Sequence, residues 1–373
     1  MDFLVRRDDL HSTRFDDSAT PVPTDGEALL SVSRFGLTAN NITYTVFGDA
    51  MNYWDFFPAE DGWGRMPVWG FADVVASNAE GVAEGKRVYG YFPPSSHLIV
   101  RPDRADEAGF LDSSPHRAAL PVVYNHYVFT DTDPNYDSDS EDAQMLLRPL
   151  FATSFLLDDQ LADPMQMGSS RTGREAEDSA AVVPFFGAST VVLSSASSKT
   201  ALAAAFLIAR RDGPALVGLT SASRVGFVEG TGTYGRVVPY EEIGTLGDGP
   251  AVYLDFSGDA DLRGTVHAHY GDELAHSFTI GATHWDKMAG GGELPGPTPT
   301  FFFAPDRAAK RTTDWGGDGL RERIAEAWKP FVEWSGSWLE VSRAEGAEAV
   351  ENAYLEMLDG KVNPAAGNVL SLT

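Results

Sequence analysis

Ser194, Ser195, Ala196, Ser197, Ser198, Lys199 and Thr200 place four serines and a cation in seven consecutive residues, between an aliphatic run and an alanine-rich one. The chemistry open to such a stretch is anion binding. Small side chains let backbone N–H groups approach a phosphate, the serine hydroxyls add donors, and Lys199 adds a charge. A packed turn that binds nothing is the bland alternative. A P-loop does not fit, although the SSKT ending is similar: Ser198 stands where its second glycine belongs and Leu193 where its first does.

Other residues offer narrower chemistry. Thr220, Ser221, Ser223 and Arg224 follow a second aliphatic run, and the absence of an acid there favours a 2′-phosphate over a bare ribose. Arg224 as an ordinary surface arginine is the competing explanation. Tyr44, Phe47, Tyr53, Trp54, Phe56, Phe57, Trp63 and Trp69 crowd together with Asn40, Asn41 and Asn52. Most of these aromatics read as a core corner; the polar ones could line a cleft. His267 and His269 share a face if their stretch is extended, with His276 close by, but no cysteine or carboxylate completes a metal motif, and no metal site is expected. The serines around 194 lack the G-x-S-x-G elbow of a serine hydrolase.

These residues need a scaffold, and the patterning supplies one. Residues 190–193 read as a strand buried on both faces, with a helix starting near Lys199 and capped by Ser197 or Ser198. Further strands are expected at 215–219, 236–240, 251–256 and 277–282; such alternation builds a doubly wound parallel sheet that binds ligand at the carboxyl ends of its strands. Upstream, 27–35 reads as a strand, 36–41 as a turn into a loop or short helix, and 66–102 as short strands of a small β-barrel. The acidic tract 131–142 lacks the glycine and terminal glutamate of an EF-hand and reads as a solvated loop. A helix pair is expected over 143–161, an exposed insertion over 163–180, a core helix stripe at Leu320, Ile324, Trp328 and Phe331, and a last helix over 350–358.

Composition limits the partners. The chain has 373 residues, enough for two domains with their own cores. Its net charge of −26 repels nucleic acid and anionic membrane surfaces, which leaves a small-molecule substrate as the expected partner. Zero cysteines exclude disulfides and cysteine-ligated zinc. The charged first residues hold no signal-peptide core and no apolar run approaches a membrane span, so a cytoplasmic protein is expected.

PVWGFADVVAS, GVAEGKRVYGY and SSHLIVRP resemble the entry, turn and closing strand of the catalytic domain in medium-chain dehydrogenases/reductases, the quinone-reductase-like branch above all. Residues 116–128 resemble the helix that leads such a chain into its nucleotide domain, and 360–372 its exit strand. The tracts NHYVFTDTDP and DAQMLLRPLF look like a bacterial branch for which no single substrate is implied. The resemblance implies an α/β fold, a GroES-like β-barrel catalytic domain plus a Rossmann-type doubly wound parallel sheet. It divides the chain at 1–125, 126–290 and 291–373. The family's fingerprint glycines correspond to Ser195, Ser198 and Ala201, and NADPH is the implied cofactor. By the same analogy Tyr240 lies near the cofactor phosphate, while Phe256, Ser257, Gly281, Ala282 and Thr283 border the nicotinamide. The family's zinc ligands are missing, so polarisation of the acceptor falls to hydrogen-bond donors, with Tyr44, Tyr53 and Asn41 as candidates. The implied activity is zinc-independent reduction of an activated carbonyl, enone or quinone-like acceptor, in a homodimer as is common in the superfamily; the rival is a non-catalytic nucleotide sensor or interaction protein.

Overall fold

Along the strand Thr190–Leu193, alternation sends Val191 and Leu193 to one side and Val192 to the other, and all three are fully buried. The strand Ala251–Asp255 repeats the pattern, with Val252 and Leu254 in the first core and Ala251 and Tyr253 in the second. Both faces therefore need a cover. The helix Lys199–Ala209 covers one through Ala201, Ala204, Ala205 and Ile208; the helix Ala260–Tyr270 covers the other through Leu262, Val266 and Tyr270. Among the described residues six parallel strands result, in the order Arg236–Pro239, Ala215–Thr220, Thr190–Leu193, Ala251–Asp255, Leu274–Thr279, Thr300–Phe301. The chain runs outward from Thr190–Leu193 and then restarts on its other side at Ala251–Asp255. The carboxyl ends of those two strands flank the topological switch point of the sheet.

The computed structural model describes residues 1–17, 19–164, 183–280 and 294–373. Its contacts separate two units, Met1–Pro149 with Leu339–Thr373, and Leu150–Trp338, which contains the parallel sheet. In the first unit the strand Ala28–Leu37 pairs antiparallel with Val68–Ser77, His97–Val100 and the return strand Ala366–Ser371. These belong to a nine-stranded sheet wrapped around Leu30, Val32, Phe35, Val68, Val88 and Phe92. Gly36 has a steric reason: a Cβ there would lie 2.8 Å from the Met145 carbonyl oxygen.

The contacts divide the two units at 149/150 and 338/339, beside the divisions at 125/126 and 290/291 that the resemblance implied. Several expectations are corrected. His126–Phe129 is a strand of the first unit's sheet, paired with Arg87–Phe92 and Gly109–Asp112, and Leu320 of the helix Ala304–Ser335 joins a parallel-sheet core. No helix covers 116–128. Short 3₁₀ turns occupy Pro115–Arg117 and Val122–Tyr124, separated by Pro121, whose missing N–H interrupts a helical ladder. In place of a helix pair, one helix runs Glu141–Ala162 with Pro149 inside it.

The acidic tract is also more than a solvated loop. Glu141 accepts two bonds from the Arg87 guanidinium, at 2.7 and 2.8 Å, and Asp133 accepts one from Arg148 at 2.5 Å. Burial pushes the Glu141 carboxyl up, but Arg87, Tyr136 and Arg34 together outweigh it and hold the group below its ordinary value. Of the expected insertion, residues 165–180 lie outside the described residues.

Candidate functional site

The turn at the switch point is built from backbone and side-chain bonds of unequal kind. Ser194 is fully buried and its Oγ is a strut: it donates to Asp255 Oδ1 at 3.0 Å and accepts from the backbone N–H groups of Phe256 and Ser257. It has no face for a ligand. Ser195 lies at φ +46°, a left-handed conformation that favours glycine, and its N–H donates to the Tyr240 hydroxyl at 3.2 Å. Ser198, by contrast, has extended φ/ψ and Ala201 sits inside the helix, so the glycine-like geometry is confined to the first of the three fingerprint positions.

Ala196 is held against the neighbouring strand, its N–H donating to Leu219 O at 3.0 Å. That strand must carry Gly218 at this height, because a Cβ there would come within 2.9 Å of the Ala196 Cβ and 3.0 Å of the Tyr234 ring. Tyr234 closes the turn from outside, donating to the carbonyls of Ala196 and Ala201. Ser198 caps the helix, its Oγ accepting from Ala201 N at 3.3 Å.

What remains at the surface of the turn is Ser197, Ser198, Lys199 and Thr200, each half-buried. The first N–H groups of the helix Lys199–Ala209 have no intrahelical acceptor, and the helix dipole adds partial positive charge at the same place. Burial pulls the Lys199 ammonium down to about 8, so the group carries its charge at neutral pH and loses it just above. At the end of the adjacent strand, Ser221 and Ser223 share a hydroxyl contact of 3.2 Å and Arg224 begins the helix Val225–Gly230. Tyr240 opens the segment after the outer strand Arg236–Pro239, and burial raises its phenol above the ordinary value. Phe256 and Ser257 follow the strand Ala251–Asp255, both buried. Gly281, Ala282 and Thr283 lie outside the described residues.

Asp255 was missed by sequence reasoning. It is fully buried, accepts from Ser194, Ser257 and Gly258, and pairs with Arg263 at 3.0 Å. An acid ending an otherwise apolar run, AVYLD, was the available signal.

In the first unit, Asn41 is committed to structure. Its Oδ1 accepts from Thr38 N at 2.7 Å, closing the start of the helix Ala39–Val46, and its Nδ2 donates to Pro67 O at 2.9 Å. The Tyr44 hydroxyl accepts from Asn40 Nδ2 at 2.7 Å and Trp69 Nε1 at 3.3 Å, and its ring lies 4.7 Å from that of Tyr53. Both tyrosines are buried, and burial raises both phenols. Tyr124, which sequence reasoning also missed, is half-buried and packs against Tyr44, Tyr53, Phe56, Tyr91 and Trp69.

The histidines do not share an extended face. His267 and His269 lie on the helix Ala260–Tyr270, which Asp259 caps through the N–H groups of Asp261 and Leu262. His267 is buried between Pro295 O and Ser277 Oγ, and His276 stacks on Phe186 with ring centroids 4.2 Å apart. Among the described residues, no group of three His, Asp or Glu could hold a metal ion. Among the same residues, no helix is long and apolar enough to cross a membrane.

A family model described as "Protein of unknown function (DUF2855)" matches residues 35–363. No curated protein matches the sequence. Solved structures share its architecture. CurA from Vibrio vulnificus in complex with NADPH aligns at a TM-score of 0.60 and 13% identity, over 97% of this chain and 94% of that one. CurK enoyl reductase aligns at 0.53 and 16%, over 99% of both chains. The human synaptic vesicle membrane protein VAT-1 homolog-like protein aligns at 0.53 and 13%, over 100% of this chain and 98% of that one. At such identities the likeness shows the fold: a GroES-like β-barrel and a Rossmann-type parallel sheet.

Proposed function

The chain belongs to the DUF2855 family, and from that premise we propose that it is a zinc-independent, NADPH-dependent reductase of an activated carbonyl, enone or quinone-like acceptor. The observation that carries this reading is the strand–turn–helix at the switch point. A helix start, a half-buried lysine charged at neutral pH and a short serine-rich turn meet where a parallel sheet of this order offers its ligand crevice. CurA, which shares the fold, has been crystallised with NADPH, and that supports a nicotinamide nucleotide as the ligand.

The preference for NADPH rests on Ser221, Ser223 and Arg224, which follow the strand Ala215–Thr220 where an acid would select NADH. When bound, the nucleotide supplies a hydride. The chain's part is to hold its pyrophosphate on the turn and its 2′-phosphate on Arg224. The phenols of Tyr44 and Tyr53, kept protonated by burial, are the donors assigned to the oxygen of the acceptor.

Titration with NADPH and NADH, followed by the nicotinamide absorbance with a panel of quinones and enones, tests this directly. The expected outcome is tighter NADPH binding and oxidation of NADPH by at least one acceptor. Failure to bind either nucleotide sinks the reading. Binding without turnover selects the sensor, for which the Tyr240 hydroxyl on Ser195 N–H speaks, since a pyrophosphate would compete for that donor.

A further inference from the structure

The fully buried carboxylate of Asp255 lies between two backbone segments that leave adjacent strands at the switch point. Its Oδ1 accepts from Ser194 Oγ at 3.0 Å, Ser257 N at 3.0 Å, Ser257 Oγ at 2.7 Å and Gly258 N at 3.0 Å. Its Oδ2 accepts from Arg263 at 3.0 Å. Ser194 Oγ in turn accepts from Phe256 N at 3.0 Å and Ser257 N at 3.1 Å. The start of the serine turn and the loop 256–258 are thus tied through one carboxylate and one hydroxyl, all out of contact with water.

Packing alone does not ask for this arrangement. A buried charge costs more than an apolar side chain of similar size unless every lone pair is satisfied, so an aliphatic residue would fill the site with less penalty. The bonds also do not build the turn itself. That is set by Ala196 N to Leu219 O, Ser198 N to Ser195 O and the Tyr240 contact. What they fix is the position of the turn relative to the loop after the next strand.

We propose that Asp255, acting through Ser194, is a positioning residue that keeps the phosphate-binding turn and the loop 256–258 in register for the two halves of one dinucleotide. This rests on the nucleotide-binding reading above. A ligand that spans both segments depends on the register; one that touches only the turn and Arg224 does not.

The experiment measures binding of NADPH and of adenosine 2′,5′-bisphosphate to the wild-type protein, Ser194→Ala and Asp255→Asn, well below the melting temperature of each. Ser194→Ala leaves the Asp255–Arg263 pair in place and is the milder change. NADPH affinity is expected to fall about tenfold in both variants, the scale of one lost hydrogen bond to a charged group, with bisphosphate affinity unchanged within about twofold. Equal losses for both ligands would reduce Asp255 to general stability and overturn the proposal, as would unchanged NADPH affinity. A wild-type protein that binds neither ligand brings down the nucleotide reading itself, whereas normal wild-type binding with indifferent variants brings down the positioning role alone.

Discussion

The aromatic corner and the serine turn began as comparable collections of polar candidates and end in opposite states. In the corner, the amide and the acceptor side of the phenol are committed locally: Asn41 spends both ends of its amide on Thr38 and Pro67, and the Tyr44 oxygen accepts from Asn40 and Trp69. In the turn, burial takes Ser194 and Ala196 into the scaffold, but the start of the helix stays at the surface with Ser197, Lys199 and Thr200 around it. The difference is one of backbone. A helix start gathers backbone N–H groups and partial positive charge that suit an anion, while a side-chain amide that closes a helix is committed to its own chain.

The strongest way to break this contrast is to put a negative charge on the turn. Ser197→Asp is expected to weaken NADPH more than about a hundredfold, because opposed like charges cost several kcal/mol. The melting temperature should hold, since an acid at a helix start is favourable. Undiminished NADPH binding would show that the turn is not where phosphate sits.

Arg224→Ala comes next, with a loss of roughly ten- to a hundredfold for NADPH and little change for NADH, which has no 2′-phosphate. Calorimetry with both nucleotides decides it. Equal weakening points to a folding defect, and a wild-type preference for NADH refutes the assignment outright.

Asn41→Ala probes the other region. Losing a helix-closing bond and a second buried bond should cost about 1–3 kcal/mol in denaturant unfolding. NADPH affinity in the folded variant should not move; a specific loss of nucleotide or acceptor binding would return Asn41 to the site.

The charge on Lys199 gives the pH test. Below about 8 the ammonium is protonated and attracts phosphate; above it the charge is lost. NADPH affinity is therefore expected to fall severalfold between neutral pH and pH about 9.5, and the slope should vanish in Lys199→Arg, whose guanidinium stays charged. A persistent slope would assign the titration to another group.

The smallest effect is expected of Tyr44→Phe, about 1 kcal/mol of stability from the partners left behind at Asn40 and Trp69. Its kcat should drop while NADPH affinity stays constant. Unchanged turnover there and in Tyr53→Phe would make the corner a core element only.

Much of the fold was legible because its causes are local. Runs such as Thr190–Leu193 and Ala251–Asp255 carry the signature of strands buried on both faces, and the alanines after Lys199 announce a helix that packs close to a sheet. The errors came where periodicity was weak or interrupted. His267 and His269 fit an extended face only at period two, and the Asp259 cap makes the stretch helical; Pro121 breaks a helix that the family resemblance implied.

By itself the sequence determined what could be bound: small residues and a cation in one turn, no cysteine, and an arginine where an acid could stand. Tertiary structure decided which of four neighbouring serines is a strut, which is a cap and which adopts the glycine-like backbone. The physical reason is the distance along the chain of the partners that choose among them. Ser194 is claimed by Asp255, 61 residues away, and Ser195 by Tyr240, 45 away, and only the pairing of parallel strands brings those groups to the same end of the sheet.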